Sequence, residues 1–503
     1  MKNLILTFLS AFISVALCLT VANAQKNSTP RPYVKSMYSL PLTLDPIQMN
    51  DTASLITGNL IYEGLVKFSP TLKIMPALAE RWETSMDGKT ITFHIAPSAK
   101  FQDSTPVTAD DVVNSLKRAS SKESRVWKYY ESIAENGFRA VDPHTVQLTL
   151  NYAYPPILSV LAGATAKILP KSVQTNKDFF KSPIGSGAFQ YSKLDEKNDE
   201  ILLNRFNDFH GEPAKLNQLI LRKTTGQEGT DLARTGKIDD LASLPLAADD
   251  AIFKFGSKVS SPVAATWIIG LNTRKTPFKD VEVRRAFSSV IDSEAFRKKF
   301  FPDAIQAFGY VPPGLPGYKS SVSPGNPSLK TRHSNQSIVI AIPAILENAL
   351  EIKSFLEAAY KKAGWNVKIN LMNWDEMMAG YSNKSLQSFL VSMNMDYPDQ
   401  EFYLKNFESN NPDNFSGLSD ARIDALLKKS RTFQDRIDRE KVYSEALDLI
   451  EKSAVTIKLF HPKANYWISN CVSGFVANIL SEVYIDYSAV SLKPECTESL
   501  GRL

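Results

Sequence analysis

The side chains able to act as acids, bases, nucleophiles or metal ligands are scattered along this 503-residue chain rather than gathered. His94, His144, His210, His333 and His461 stand singly, with no His-x-x-x-His, no Cys-x-x-Cys and no dense acidic loop of the kind that wraps calcium. A resident catalytic metal is therefore not expected. After residue 24 there is neither Gly-x-Ser-x-Gly nor Ser-x-x-Lys, so the common local signatures of serine hydrolases and penicillin-binding enzymes are missing. Gly185-x-Gly187 lacks the third glycine of a dinucleotide site and no Walker loop occurs, which leaves no cofactor to expect. Carboxylates alone stay open as catalysts, because a glycosidase needs only two of them at a separation that tertiary structure sets. An exported hydrolase is the enzyme reading that this leaves; the expectation is a protein that is not an enzyme.

The N-terminus says where the chain works. Lys2 precedes an apolar run from Leu4 to Val21 that ends in Ala22-Asn23-Ala24, the pattern of a signal peptide cleaved after Ala24. A lipoprotein anchored through Cys18 is the alternative, but bulky Leu17 stands where a small residue is expected. With Lys2 gone, 57 basic residues face 53 acidic ones, a net +4 without long blocks of one sign, and nothing points to nucleic acid. Cys471 and Cys496 then remain as an even pair in an oxidising compartment. A disulfide between them would stabilise the fold by about 3.5 kcal/mol in the chain-entropy model; two buried free thiols are the other possibility.

The elements that must position any site alternate between strand and helix, which predicts an α/β or mixed α+β protein of two or three lobes. Thr90 to Ile95 alternates, with Ile91, Phe93 and Ile95 on one face, and Val146 to Leu150 repeats the pattern. Between them Thr108-Ala109-Asp110-Asp111 reads as a capping box that places two carboxylates at the positive end of a helix. Further on, Ile338–Ile342, the helix 347–363 stopped by Gly364, and the strand Trp365–Leu371 form a βαβ unit. The strand Phe389–Met393 follows, and its C-terminal end delivers Asn394, Met395 and Asp396 to the edge where open α/β sheets bind ligands. Helices over 420–429 and 436–452 carry apolar faces for a core.

The order of short segments says more than any one of them. Leu44-Asp45-Pro46, Ile61-Tyr62-Glu63-Gly64-Leu65, Pro76 to Glu83, Asp87 to Ile95 and Lys100 to Val112 follow one another at intervals that resemble the peptide/opine/nickel class of periplasmic solute-binding proteins, family 5. Pro183 to Phe189, Asn204 to Gly211, Gly236 to Asp239, Val283 to Phe287 with Ile291-Asp292, and Pro312 to Tyr318 continue the resemblance along nearly the whole chain after Ala24. Ser104 stands where the family usually has glycine in a tight turn.

The resemblance implies a periplasmic-binding-protein type II-like fold, two lobes in three subdomains joined by a two-strand hinge near Trp267 and Trp467. Residues 1–24 are the signal peptide. Residues 25–67, 186–266 and the tail 469–503 would form lobe 1, 68–185 a subdomain inserted in it, and 267–468 lobe 2. It further implies a monomeric receptor that captures a small peptide or peptide-like ligand by hinge closure and delivers it to the permease of an ABC importer. An opine, a nickel chelate or an oligosaccharide is the alternative ligand. In family members that bind peptides, an aspartate in a Trp-x-x-Asp-Tyr-like segment pairs with the ligand's ammonium; the matching segment Met393-Asn394-Met395-Asp396-Tyr397-Pro398-Asp399 puts Asp396 in that place. Met393 replaces the tryptophan and softens that wall, and Gly270 replaces an acidic residue found in oligopeptide binders. From the other lobe Asn50, Asp51 and Thr52 fall where relatives touch ligand backbone, and Trp267 falls where it could line the cleft or pack the hinge. Asp396 also has the residue type that caps a turn.

Overall fold

The computed structural model describes residues 30–242, 250–321 and 337–496. The expected signal peptide, residues 1–24 with Cys18, and His333 lie outside them. Three sheets carry the architecture. The first has seven strands in the order Gly256–Pro262, Lys463–Ser469, Asp240–Leu241, Tyr33–Met37, Gln218–Lys223, Glu200–Arg205, Phe189–Asp195. The second has six, in the order Ile305–Gln306, Thr456–His461, Ala265–Leu271, Ser388–Asn394, Ile338–Pro343, Val367–Met372. The third, with four antiparallel strands from Ala79 to Leu150, lies within the stretch read from sequence as an insertion.

Local sequence explains the third sheet well. Thr90–Ile95 and Thr145–Leu150 alternate in burial residue by residue, and they pair directly. Thr108 and Asp111 close the capping box on the helix Ala109–Ser120. From that helix Arg118 reaches Asp45 in a two-pronged ion pair at 2.5 and 2.6 Å, so Leu44-Asp45-Pro46 ties the inserted subdomain to the first sheet. Ser104 sits in the tight turn with φ +70°, the left-handed region that favours glycine, which is the physical reason for the family's residue there. Gly185 and Gly187 leave no room for a side chain: a Cβ would lie 2.0 Å from the Ile61 carbonyl oxygen and 2.6 Å from that of Leu60. The Gln102 amide uses this close approach, donating to the carbonyls of Ile61, Gly187 and Phe189.

The βαβ unit forms with its helix at Ala349–Lys362 and its second strand at Val367–Met372. The strand starts two residues later than expected because Trp365 turns inward after Gly364 and meets the Phe287 ring edge-on at 5.2 Å. Ile338–Pro343, with parallel neighbours on either side, is buried on both faces except at Val339. The late helices occupy Ala421–Ser430 and Arg436–Lys452. Cys471 and Cys496 are joined in a disulfide, with Cα atoms 5.7 Å apart.

The first and second sheets exchange chain twice, and they do so side by side. Gly256–Pro262 in the first continues as Ala265–Leu271 in the second, while Thr456–His461 in the second returns as Lys463–Ser469 in the first. The Val263 N–H donates to the Pro462 carbonyl at 2.9 Å between the two crossings. Both crossings fall a few residues before the expected hinge positions: Trp267 already lies inside the second sheet and Trp467 inside the first, because proline at 262 and at 462 interrupts each strand where it changes sheet.

Lobe 1 is built around a buried charge. Lys35, fully enclosed, donates to Asp240 at 2.9 Å and to Glu482 at 3.3 Å, and the hydroxyls of Tyr33 and Tyr487 donate to the other Asp240 oxygen. Burial by itself would pull the Lys35 ammonium down, but Asp240 and Glu482 hold it above its ordinary value. Lys35→Met is expected to lower stability by about 3–5 kcal/mol in a urea titration, because it leaves Asp240 enclosed without its cation. Ser104→Gly, which relieves a left-handed serine, is expected to raise stability by about 0.5–1 kcal/mol in the same measurement.

Candidate functional site

The strand Ser388–Asn394 runs toward the crossings and ends beside them. Its last residues pair with Ala265 and Thr266, and the Met395 N–H donates to the Ala264 carbonyl at 2.8 Å, so Asp396 is held one residue from the hinge. Asp396 keeps solvent-exposed surface, yet protein crowds its carboxylate enough to disfavour the charge.

The partner it meets comes from the opposite lobe. Tyr129, on the single helical turn Trp127–Tyr130 of the inserted subdomain, donates its hydroxyl to the Asp396 carboxylate. The Lys405 ammonium lies over three rings, Tyr129 at 5.7 Å, Tyr397 at 5.5 Å and Phe402 at 5.1 Å. Burial raises the pKa of Asp396; the Tyr129 hydrogen bond and the Lys405 charge oppose this and only partly offset it. Burial and then the facing carboxylate push the Tyr129 phenol up, so it remains a donor. Asp396 thus carries its charge at a cost that a further positive group beside it would relieve.

The residues that follow fasten the lobes on one side of this point. Tyr397 packs into the core of the inserted subdomain, and its hydroxyl lies 3.1 Å from that of Tyr154. Both hydroxyls donate to Glu401, at 3.0 and 2.9 Å, and Arg431 bridges Glu401 to Glu408 at 3.0 and 2.8 Å. Turn capping belongs to Asp399, whose carboxylate accepts from the Glu401 N–H at 3.0 Å and pairs with Arg439 at 3.2 Å.

The other expected positions are distributed differently. Met393 is partly buried in the lobe 2 core, and its carbonyl accepts from the Tyr403 hydroxyl at 3.0 Å. Asn394 is exposed next to Asp396 and accepts from Ser392 at 2.8 Å. Asp51 caps the helix Thr52–Ile61: one carboxylate oxygen takes the Ser54 N–H at 2.9 Å and the other the Ser54 hydroxyl at 2.6 Å. Asn50 and Thr52 stay exposed around that cap. Trp267 stacks on Phe460 at 5.8 Å and Phe301 at 6.3 Å, so its surface serves the packing of lobe 2 rather than the crevice. Gly270 faces the Phe389 ring, 2.8 Å from where a Cβ would stand, and an acidic side chain there has no space. Sequence reasoning missed Tyr129, Tyr154 and Lys405; the aromatic run Trp127-Lys128-Tyr129-Tyr130 was the available signal, and it carries no motif.

Residues 73–415 match the family model described as bacterial extracellular solute-binding proteins, family 5 middle. The chain belongs to this family. Among the relatives of this family 5 protein, the glutathione-binding protein GsiB of Salmonella paratyphi A is 27% identical over 465 residues, covering 86% of this chain and 89% of that one. The dipeptide-binding protein of Escherichia coli strain K12 is 24% identical over 473 residues, covering 85% and 88%. In fold it matches HbpA2 from Haemophilus parasuis with a TM-score of 0.80 at 22% identity, covering 92% of this chain and 100% of that one. It also matches DppA from Helicobacter pylori in complex with the peptide STSA, with a TM-score of 0.74 at 24% identity, covering 92% and 98%. Its fold is thus the two-lobed, mixed α/β fold of the family, and its relatives are binding proteins. Among the described residues no helix is long and apolar enough to cross a membrane.

Tyr129→Phe removes the hydrogen bond that holds the Asp396 carboxyl down. Its titration, followed by carboxyl-carbon NMR in the ligand-free protein, is expected to move to higher pH than in the wild type.

Proposed function

We propose that this protein is a peptide receptor: it captures a short peptide in the crevice between its lobes and hands it unchanged to an ABC importer in the membrane. The observation that carries this reading is Asp396, a carboxylate set beside the hinge and reached from the opposite lobe by Tyr129. An α-ammonium placed there gains a charged partner at a point where burial makes the unpaired carboxylate unfavourable, and a ligand so placed touches both lobes, the condition for it to favour the closed form. The relatives named for glutathione and dipeptides, and the fold shared with a peptide-bound neighbour, support the same ligand class. Asn394 and the backbone around Asn50 and Thr52 are proposed to complete the walls, Met393 a yielding apolar one. The working location is the periplasm, after removal of residues 1–24, and the working form is a monomer.

Native mass spectrometry of freshly purified protein tests this by looking for a co-purified peptide that survives desalting. Asp396→Asn is expected to cost about 2–5 kcal/mol of binding, roughly 30-fold or more in Kd by titration calorimetry. Retention of the peptide with unchanged affinity in Asp396→Asn would show that the ammonium is held elsewhere, and hydrolysis of the bound peptide would end the receptor reading. Because the Asp396 pKa is raised, wild-type affinity for an amine-bearing ligand is expected to weaken on acidification, starting above the ordinary carboxylate value. In Asp396→Asn that dependence on pH should flatten.

A further inference from the structure

A recess lies within lobe 1, and Tyr484 in its wall is within electrostatic reach of Asp396. It opens at the seam where the inserted subdomain meets the seven-stranded sheet, and it encloses about 130 Å³ between Tyr62, Glu63, Lys67, Lys167, Phe209 and the stretch Val483–Ser488. That is room for a molecule of a few heavy atoms.

The charges in it are unevenly matched. Glu63 is already engaged by His210, whose Nε2 lies 3.0 Å from its carboxylate. Asp486, on the opposite wall, is engaged by the hydroxyl and N–H of Ser488. Lys167 has no ion pair among the described residues, although it is largely withdrawn from solvent and Lys67 shares the wall. A lysine in the wall of a recess, with no carboxylate closing on it, is a poor structural element, because it carries the desolvation penalty without the compensating bond. The backbone is specified on the spot: the Ile168 N–H donates to the Glu63 carbonyl at 2.8 Å, so the recess is shaped by a fixed contact. Phe209, Leu60 and Ile56 add apolar surface to a lining that also holds Asn59, Tyr484 and Ser488.

We propose that this recess is a second ligand site, one that takes a small organic carboxylate with its charge against Lys167 and its apolar body against Phe209 and Leu60. The site is independent of the peptide crevice and carries no catalytic step.

Titration supplies a signature. Burial draws the Lys167 ammonium down to about 8, with Glu63 raising it and Lys67 lowering it further. A bound carboxylate favours the charged lysine, so binding takes up a proton and affinity falls as pH rises through about 8. The other titratable groups facing the recess are Glu63 with His210, Lys67, Asp486 and the phenols of Tyr62, Tyr484 and Tyr487. Burial would lower the His210 pKa, but the hydrogen bond and charge of Glu63 raise it above its ordinary value.

The test is calorimetric titration of the intact protein with acetate, propionate and inorganic phosphate between pH 7 and 9.5, in wild type, Lys167→Met, Lys167→Arg and Asp396→Asn. One saturable carboxylate site is expected in wild type, weakening across the pH range, retained in Lys167→Arg and Asp396→Asn, and weakened about tenfold or more in Lys167→Met. Thermal melting without added anion establishes that each variant folds. No carboxylate binding in wild type, equal binding in Lys167→Met, or loss of binding in Asp396→Asn would overturn the site. Phosphate binding more tightly than propionate would overturn its ligand class.

Discussion

The two sheets are joined by two crossings held one hydrogen bond apart. Val263 bonds to Pro462 at this joint, and Tyr154, Tyr397 and Glu401 tie the lobes together beside it. A ligand influences such a hinge only through contacts that differ between open and closed forms, and the leverage is greatest for groups rooted in one lobe and met by the other. Asp396 satisfies this condition, because its strand is bonded to the crossing segment and its carboxylate faces a tyrosine of the inserted subdomain. The remaining architecture follows from that constraint. The core on each side of the crossings has to be rigid enough for a small change between lobes to be transmitted, and the helix cap, the Asp45–Arg118 pair and the glycine contacts of 185 and 187 give lobe 1 that rigidity.

Charge is buried in this protein in two distinct ways. Around Asp240 the accounts close: one lysine, two tyrosine hydroxyls and a fixed register leave no donor or acceptor wanting. Glu401 is similar, satisfied by two tyrosines and Arg431. Asp396 and Lys167 differ from both. Asp396 has a neutral donor and a cation that sits over aromatic rings rather than on the carboxylate, and Lys167 has a carboxylate nearby that belongs to a histidine. Enclosure with incomplete pairing sets these two groups apart from the ones that only hold the fold.

Much of the architecture was legible because it depends on neighbours in sequence. Alternation in Thr90–Ile95, the box from Thr108 to Asp111, and the amphipathic faces of Ala421–Ser430 and Arg436–Lys452 are all local patterns, and each element stands where its pattern places it. The signature segments were legible for a related reason: Asp45, Gly185, Gly187 and the buried Arg284, which donates to the Ser453 and Phe278 carbonyls, hold turns and seams that any sequence of this fold must build. They are scaffold, which is why they recur, and for that reason they say little about the guest.

The sequence by itself determined the class of fold, the segment order that marks the family, and the strand whose end carries Asp396, because that strand is set by local periodicity. Tertiary structure alone decided which lobe answers that carboxylate. Tyr129 lies 267 positions away in the chain, and nothing in its neighbourhood encodes the distance that folding removes. It also decided that Asp51 would be spent on a helix cap and Trp267 on aromatic packing. A side chain's type states what it can bond to, while its surroundings decide what it does bond to, and those surroundings are assembled from residues the local sequence does not contain.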